Sequence, residues 1–460
     1  MSDLQKTVVL NVVGLTSKLV GEHTPFLKKW IADGSLHVVK PVIPAVTCTA
    51  QATYLTGTYP DQHGIVANGW YFREEAEVKF WRQSNHLVQG EKIWDIARQH
   101  SPAFTCANLF WWYNMYSTID YSVTPRPMYP ADGRKIPDIY TSPPELRHEL
   151  QEELGQFPLF KFWGPATSIE VSQWIAGSAK RVEAKYDPTL TLIYLPHLDY
   201  NCQRHGPDHP SVFEDLVEID NVCSDLIDFY EEKGARIILL SEYGITAVDQ
   251  PVHINRVLRQ AGYLAVREEQ GLEILDAGAS KAFALADHQI AHVYIKNQED
   301  LAEVKKILEE TKGVSQVLDQ HLKFQYKLDH QRSGDLIALA QPHAWFTYYY
   351  WFDDQRAPDF ARTVDIHRKP GYDPVEMFLD PNLRFLKLKI MAKLLLRKLG
   401  FRVLMDVIPL DANLIKGSHG HLPEDKNDWP ILAYHHRTES DTSEIEAGEV
   451  FSFLLECLTP

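Results

Sequence analysis

The chain has 460 residues, 45% of them hydrophobic and 23% charged, and its 46 Lys and Arg against 62 Asp and Glu give a formal net charge of −16. This composition excludes a disordered or fibrous chain and a broad basic surface, so neither nucleic acid nor an anionic membrane is expected as a partner. The length suits two or three domains, or one large α/β domain with insertions.

The chain opens Met-Ser-Asp-Leu-Gln-Lys, without the charged n-region, apolar h-region and cleavage site of a signal peptide. No run approaches the roughly 18 apolar residues of a membrane span. The five cysteines (Cys48, Cys106, Cys202, Cys223 and Cys457) are scattered, with no CxxC pair. That usage fits a reducing compartment, so a cytoplasmic location is expected.

The first element, Thr7 to Val13, is β-branched and nearly all apolar, which suits a parallel strand covered on both faces. A helix is predicted over 25–32, a strand over 36–40, and a short helix over 48–56 that stops at Gly57. Further helices are predicted at 91–98, 169–185 and 211–231, between strand-like runs at 104–110, 190–195 and 236–240. This alternation predicts a doubly wound, mostly parallel α/β sheet with helices on both faces. The segment 250–400 is less regular, with β pieces at 290–295, 335–340 and 345–351. Its aromatic run Trp345 to Trp351 reads as buried packing, and the acidic stretch 439–449 as solvated surface. These readings give an α/β core over 1–250 and 405–460, with an inserted or cap α+β region over 251–404.

In such sheets ligands collect beyond the C-terminal strand ends, and four polar places lie there. Thr47, in Pro44-Ala-Val-Thr-Cys-Thr, stands at a helix N-terminus that favours an anion, although a threonine there could simply cap the helix. The turns at Gly57, Pro60 and Gly64 could return Asn68 beside Thr47 with an amide donor free for an oxyanion. Alternatively, Asn68 serves only its own turn. Asp199 and His205 fall on a strand-end loop and are candidate metal ligands, or else simply hydrogen-bonded loop residues. The fourth place is His419, an imidazole flanked by glycines.

Together these pieces resemble the type I phosphodiesterase/nucleotide pyrophosphatase family of the alkaline phosphatase superfamily. The motif Leu-Thr-Gly-x-Tyr-Pro-x-x-His-Gly-Ile-x-x-Asn, ending at Asn68, carries the resemblance with Thr47, Asp199, Ser241-Glu-Tyr-Gly244 and His419. It covers roughly 1–250 and 405–435. The resemblance implies a hydrolase of a phosphodiester, pyrophosphate or related phosphoryl bond, acting on a small phosphorylated metabolite. It implies divalent metal (Zn, with Mn or Mg as alternatives; one or two ions), a Thr47 nucleophile forming a phosphothreonine, and Asn68 donating to a phosphoryl oxygen. Asp199 and His419 match ligands of the water-activating metal.

This chain also departs from the family pattern. Val13 stands where the family has a ligating Asp, leaving Asn11 as the nearest polar substitute. Glu242-Tyr243 replaces an Asp-His pair, and Gln203 replaces a histidine that His205 might replace in turn. Thus Asn11, Glu242 and His205 join the candidate ligands, with His253, Asp287, His288, Asp365 and His367 as further possibilities. A one-metal enzyme, a site completed by other residues, and a degenerate member that binds a metabolite or partner protein without turnover all stay open. A sulfatase does not, because Thr47-Cys-Thr-Ala-Gln lacks that branch's nucleophile pattern.

Overall fold

The computed structural model describes residues 4–435 and 443–459. The strand Thr7–Val12, buried at every position, lies at the centre of a nine-stranded sheet. It pairs in parallel with Leu190–Leu195 on one side and Arg236–Leu240 on the other. Beyond Leu190–Leu195 come Cys106–Leu109 and Tyr121–Pro125, also parallel, and then antiparallel Ile139–Ser142. On the other side Ile431–Tyr434 runs antiparallel to Arg236–Leu240, followed by Ser35–Lys40 and Glu444–Glu446.

Alternate side chains of these runs point to opposite faces, and both faces are apolar, so helices must cover each. Glu170–Tyr186 and Pro210–Glu231 are the longest of them. Each Val, Leu or Ile buried in this way contributes about 1.5–3 kcal/mol of transfer free energy. The result is the doubly wound, mostly parallel α/β fold expected from the sequence.

A second sheet, antiparallel, joins Ala282–Asp287, Ile290–Ile295, Leu336–Ala340 and Val314–Leu318 in that spatial order, so the last two strands in the chain are exchanged. A separate apolar core lies around it, containing the aromatic run Trp345 to Trp351. Those aromatic side chains are buried as predicted, but only Ala344–Phe346 is a strand. The acidic stretch differs from expectation where it is described, because Glu444–Glu446 forms a sheet edge against Ser35–Lys40. Its residues 439–442 lie outside the described residues, as do residues 1–3 of the opening segment.

Two glycines fix the geometry around the strand ends. The helix Thr47–Thr56 stops at Gly57, which adopts φ +66° and donates its N–H to the Thr53 carbonyl at 2.9 Å. Gly417 permits a close backbone approach, since a Cβ there would sit 2.0 Å from the Cys202 carbonyl oxygen. That contact seats the Gly417–Ser418 strand, and with it His419, against the helix His197–His205 that carries Asp199. No helix among the described residues is long and apolar enough to cross a membrane.

Candidate active site

The parallel register places Asn11 opposite both Tyr194 and Leu240, so three strands end together. From that edge emerge Val13, the Asp199 helix and the Ser241–Gly244 turn. The helix Thr47–Thr56 begins here, with Thr47 as its first residue.

Thr47 Oγ1 lies 3.2 Å from the Tyr243 hydroxyl. Tyr243 in turn donates to Asp199 Oδ1 at 3.1 Å, so its oxygen accepts the Thr47 proton. The other Asp199 oxygen accepts from Gln203 Nε2 at 2.8 Å. Burial pushes the Asp199 carboxyl up to about 6, against the pull of the Gln203 and Tyr243 hydrogen bonds.

Beside this chain, Asn11 Nδ2 donates to Glu242 Oε1 at 2.6 Å, and Gln51 Nε2 donates to the same oxygen. Burial pushes Glu242 up to about 8, so the carboxyl is mostly protonated at neutral pH.

His419 Nδ1 faces the Ala45 carbonyl oxygen at 2.7 Å and therefore carries the ring proton. That leaves Nε2, buried and without a hydrogen-bond partner among the described residues, 4.0 Å from Asp199 Oδ1. The His419 ring stacks on Tyr243 at 3.6 Å and lies tilted by 38° against His288 at 3.7 Å, and His288 stacks on Tyr372 at 3.7 Å. Burial holds both imidazoles well below the usual histidine range, so both are neutral.

These groups open onto a cleft of about 550 Å³, part of it open to solvent, whose walls include Trp81, Trp112, Trp163 and Tyr372. Thr47, Asp199, Tyr243 and His288 supply its polar side.

The sequence-predicted residues divide clearly. Thr47, Asp199 and His419 are brought together, and Asn11 and Glu242 meet beside them. Asn68 lies at the same helix N-terminus, its Oδ1 accepting from the Cys48 N–H at 3.0 Å. One of its two amide N–H groups is engaged, because Nδ2 donates to Asp287 Oδ1 at 3.1 Å. Asp199 and His205 lie on a helix, not a loop, six residues apart and hence about 9 Å along its axis. His205 is exposed and stacked on His209 at 4.8 Å, away from Asp199. Among the further candidates, Asp287 and His288 belong to the site, whereas His253 pairs with Thr347 at 2.8 Å.

Sequence reasoning missed two groups. The first is Tyr243, discounted as a poor metal ligand although a phenol can relay a proton. The second is His197, Asp215 and Glu218, whose ligand atoms all lie within 4.8 Å of one another and form a candidate divalent-metal site. His197 Nε2 is 2.9 Å from Glu218 Oε2 and 3.4 Å from Asp215 Oδ1. Asp215 and Glu218 share a helix face at i,i+3, the one signal in the sequence that could have found them. His197 is two residues from Asp199 and so faces the opposite side of their helix.

The model of the family described as "Type I phosphodiesterase / nucleotide pyrophosphatase" matches residues 7–373. The chain belongs to this family. The match runs through much of the segment after 250 that the sequence motifs left uncovered. Membership together with the His/Asp/Glu cluster classes the chain with the phosphodiesterase/pyrophosphatase-like hydrolases of that family.

An uncharacterized pyrophosphatase/phosphodiesterase of Schizosaccharomyces pombe is 26% identical over 240 residues, 50% of this chain and 41% of that protein. Ectonucleotide pyrophosphatase/phosphodiesterase family member 1 of Rattus norvegicus is 23% identical over 230 residues, 48% of this chain and 21% of that protein. The chain therefore spans well under half the length of these curated relatives.

Among solved structures, phosphonoacetate hydrolase from Sinorhizobium meliloti with phosphonoformate superposes at TM-score 0.62 and 13% identity, covering 99% of this chain and 96% of that one. An inactive form of murine ectonucleotide pyrophosphatase/phosphodiesterase 5 with AMP superposes at 0.59 and 14%, covering 99% and 95%. At such identities the likeness concerns the fold.

Proposed function

We propose that the chain hydrolyses a phosphodiester, pyrophosphate or related phosphoryl bond of a small phosphorylated metabolite, with Thr47 as nucleophile. The observation that carries this reading is the hydrogen-bond chain from Thr47 Oγ1 through the Tyr243 hydroxyl to Asp199 Oδ1, facing the cleft. The helix N-terminus beside Thr47 offers first-turn N–H groups and a positive dipole end to a phosphoryl oxygen. In the attack, the Thr47 Oγ–phosphorus bond forms and the bond to the leaving group breaks. The Thr47 proton passes to Tyr243 as the Tyr243 proton passes to Asp199, and water then cleaves the phosphothreonine. A carboxylate near 6 is ionised and able to accept that proton at neutral pH. The aromatic walls suit a planar or apolar substituent, as in the AMP held by the murine relative.

The nucleophile side fits the family's second ion only in part. Val13 is fully buried and has no donor, and Tyr243 is engaged with Thr47 and Asp199, but Glu242 Oε2 and Asn11 Oδ1 are buried without a hydrogen-bond partner among the described residues and could serve as ligand atoms. Asp199 and the bare His419 Nε2 could hold a single cation. Such an ion would act as a Lewis acid on a phosphoryl oxygen.

The same replacements favour a second reading, a member that binds a phosphorylated ligand without turnover. Wild type and Thr47→Ala assayed on an aryl phosphodiester, with bound metal counted, separate the two. Turnover that depends on Thr47 supports the hydrolase; nucleotide binding without turnover, under added Mn²⁺ or Zn²⁺, supports the second reading.

A further inference from the structure

The segment from Pro381 to Met405 contains seven Lys or Arg and no Asp or Glu, in a chain of net charge −16. Most of it is the helix Leu386–Lys398, which has no fully buried residue. A surface helix in water turns its apolar stripe inward and its charges outward. This helix packs Leu386 and Ile390 inward against the second core but leaves a further apolar face in solvent.

Its half-buried stripe includes Lys389 and Lys393, which reach Asp406 at 3.3 Å and 2.6 Å, and Lys393 also donates to the Leu404 carbonyl at 2.6 Å. The outward face carries Leu388, Met391, Leu394 and Leu395, continued by Leu399 and Phe401, each more than half exposed. At the margins stand Arg384, Lys387, Arg397 and Lys398, for which no ion pair is found among the described residues. Arg402 donates to the Ala131 carbonyl and ties the segment to a neighbouring loop. That loop exposes Met128 at 42% and Tyr129 at 58%.

We propose that this face docks the protein on an anionic lipid bilayer, with the helix lying in the plane of the headgroups. Outward leucines enter the acyl boundary, and the marginal cations meet lipid phosphates. Thirteen residues make a helix of about 20 Å, too short to span a hydrocarbon core of about 30 Å. The acidic remainder of the surface does not cancel this attraction, because charges farther than about 8–10 Å from the membrane are screened at physiological salt. A second copy of the chain fits less well, since a two-fold contact would set the two basic margins against each other.

Co-sedimentation with vesicles tests the proposal, using phosphatidylcholine alone and phosphatidylcholine with about one-third phosphatidylglycerol. Wild type is expected to bind the anionic vesicles at least about tenfold more strongly than the neutral ones, less so as salt rises. The triple variant Leu394→Glu/Leu395→Glu/Leu399→Glu should lose at least about tenfold in binding, and Lys387→Glu/Lys398→Glu should lose the preference for anionic lipid. All three positions of the triple variant are exposed, so its melting temperature should match wild type. Absence of binding by wild type, or equal binding by the folded variants, overturns the proposal. So does a dimer that the triple variant dissociates in the absence of any vesicle binding.

Discussion

Two sides of the same cleft have been built on different terms. On the helix side, Thr47, the turn at Gly57 and Asn68 keep the residue types of the family motif, and the Asn68 side chain accepts from the Cys48 N–H in the first turn. On the strand side, Val13, Glu242 and Tyr243 stand where the resemblance calls for three metal ligands; Tyr243 bridges Thr47 and Asp199 and Asn11 donates to Glu242 Oε1, while Glu242 Oε2 and Asn11 Oδ1 have no partner among the described residues. On the proposed reading, a nucleophile's position and its means of activation are separable: a helix N-terminus holds the hydroxyl, and a phenol and a carboxyl stand where the resemblance has cation donors.

The largest effect should come from Thr47→Ala, which removes the proposed nucleophile and should lower kcat on an aryl phosphodiester by at least about 10³-fold. Persistent turnover would locate the reaction elsewhere. Tyr243→Phe keeps the ring stacked on His419 but deletes the oxygen between Thr47 and Asp199. Its kcat should fall by about 10²-fold with little change in melting temperature, within the usual range for lost acid–base assistance. The rate of wild type should rise with pH through about 6, as Asp199 ionises, and Asp199→Asn should abolish that rise.

Glu242 tests the strand side through stability. Its folded-state value near 8 lies above the ordinary 4.5, so the folded chain binds more protons than the unfolded chain between those values. Stability from this group is therefore present below about 4.5 and is lost as pH rises toward 8. Glu242→Gln should relieve that loss, stabilising the protein by about 1–3 kcal/mol more at pH 8 than at pH 5 in denaturant titrations. The smallest effect is expected at His205. His205→Ala should change metal content and kcat less than about twofold, since the exposed ring lies away from Asp199; a clear loss would return it to the site.

Much of this was legible in the sequence. Apolar β-branched runs alternating with amphipathic helices suit covered parallel strands, and Gly57 suits a helix stop, so the sheet and the Thr47 helix follow from local chemistry. The turn motif likewise brought Asn68 to the right place. The partner of one of its two amide N–H groups was hidden, because Asp287 comes from a strand over two hundred residues away. The role of Tyr243 was hidden for the same reason, since it depends on which atoms face the hydroxyl. The helix Leu386–Lys398 escaped notice because a leucine-lysine pattern does not say which face the fold turns outward.

The central claim is that Thr47 takes the phosphoryl group, activated through Tyr243 and Asp199. Its most direct test is mass spectrometry of the protein quenched during turnover of an aryl phosphodiester, with the peptide containing Thr47 isolated. The account predicts a phosphoryl adduct on Thr47 that is absent in Thr47→Ala. Sustained turnover with Thr47 unmodified, in samples where the adduct should accumulate, would contradict it.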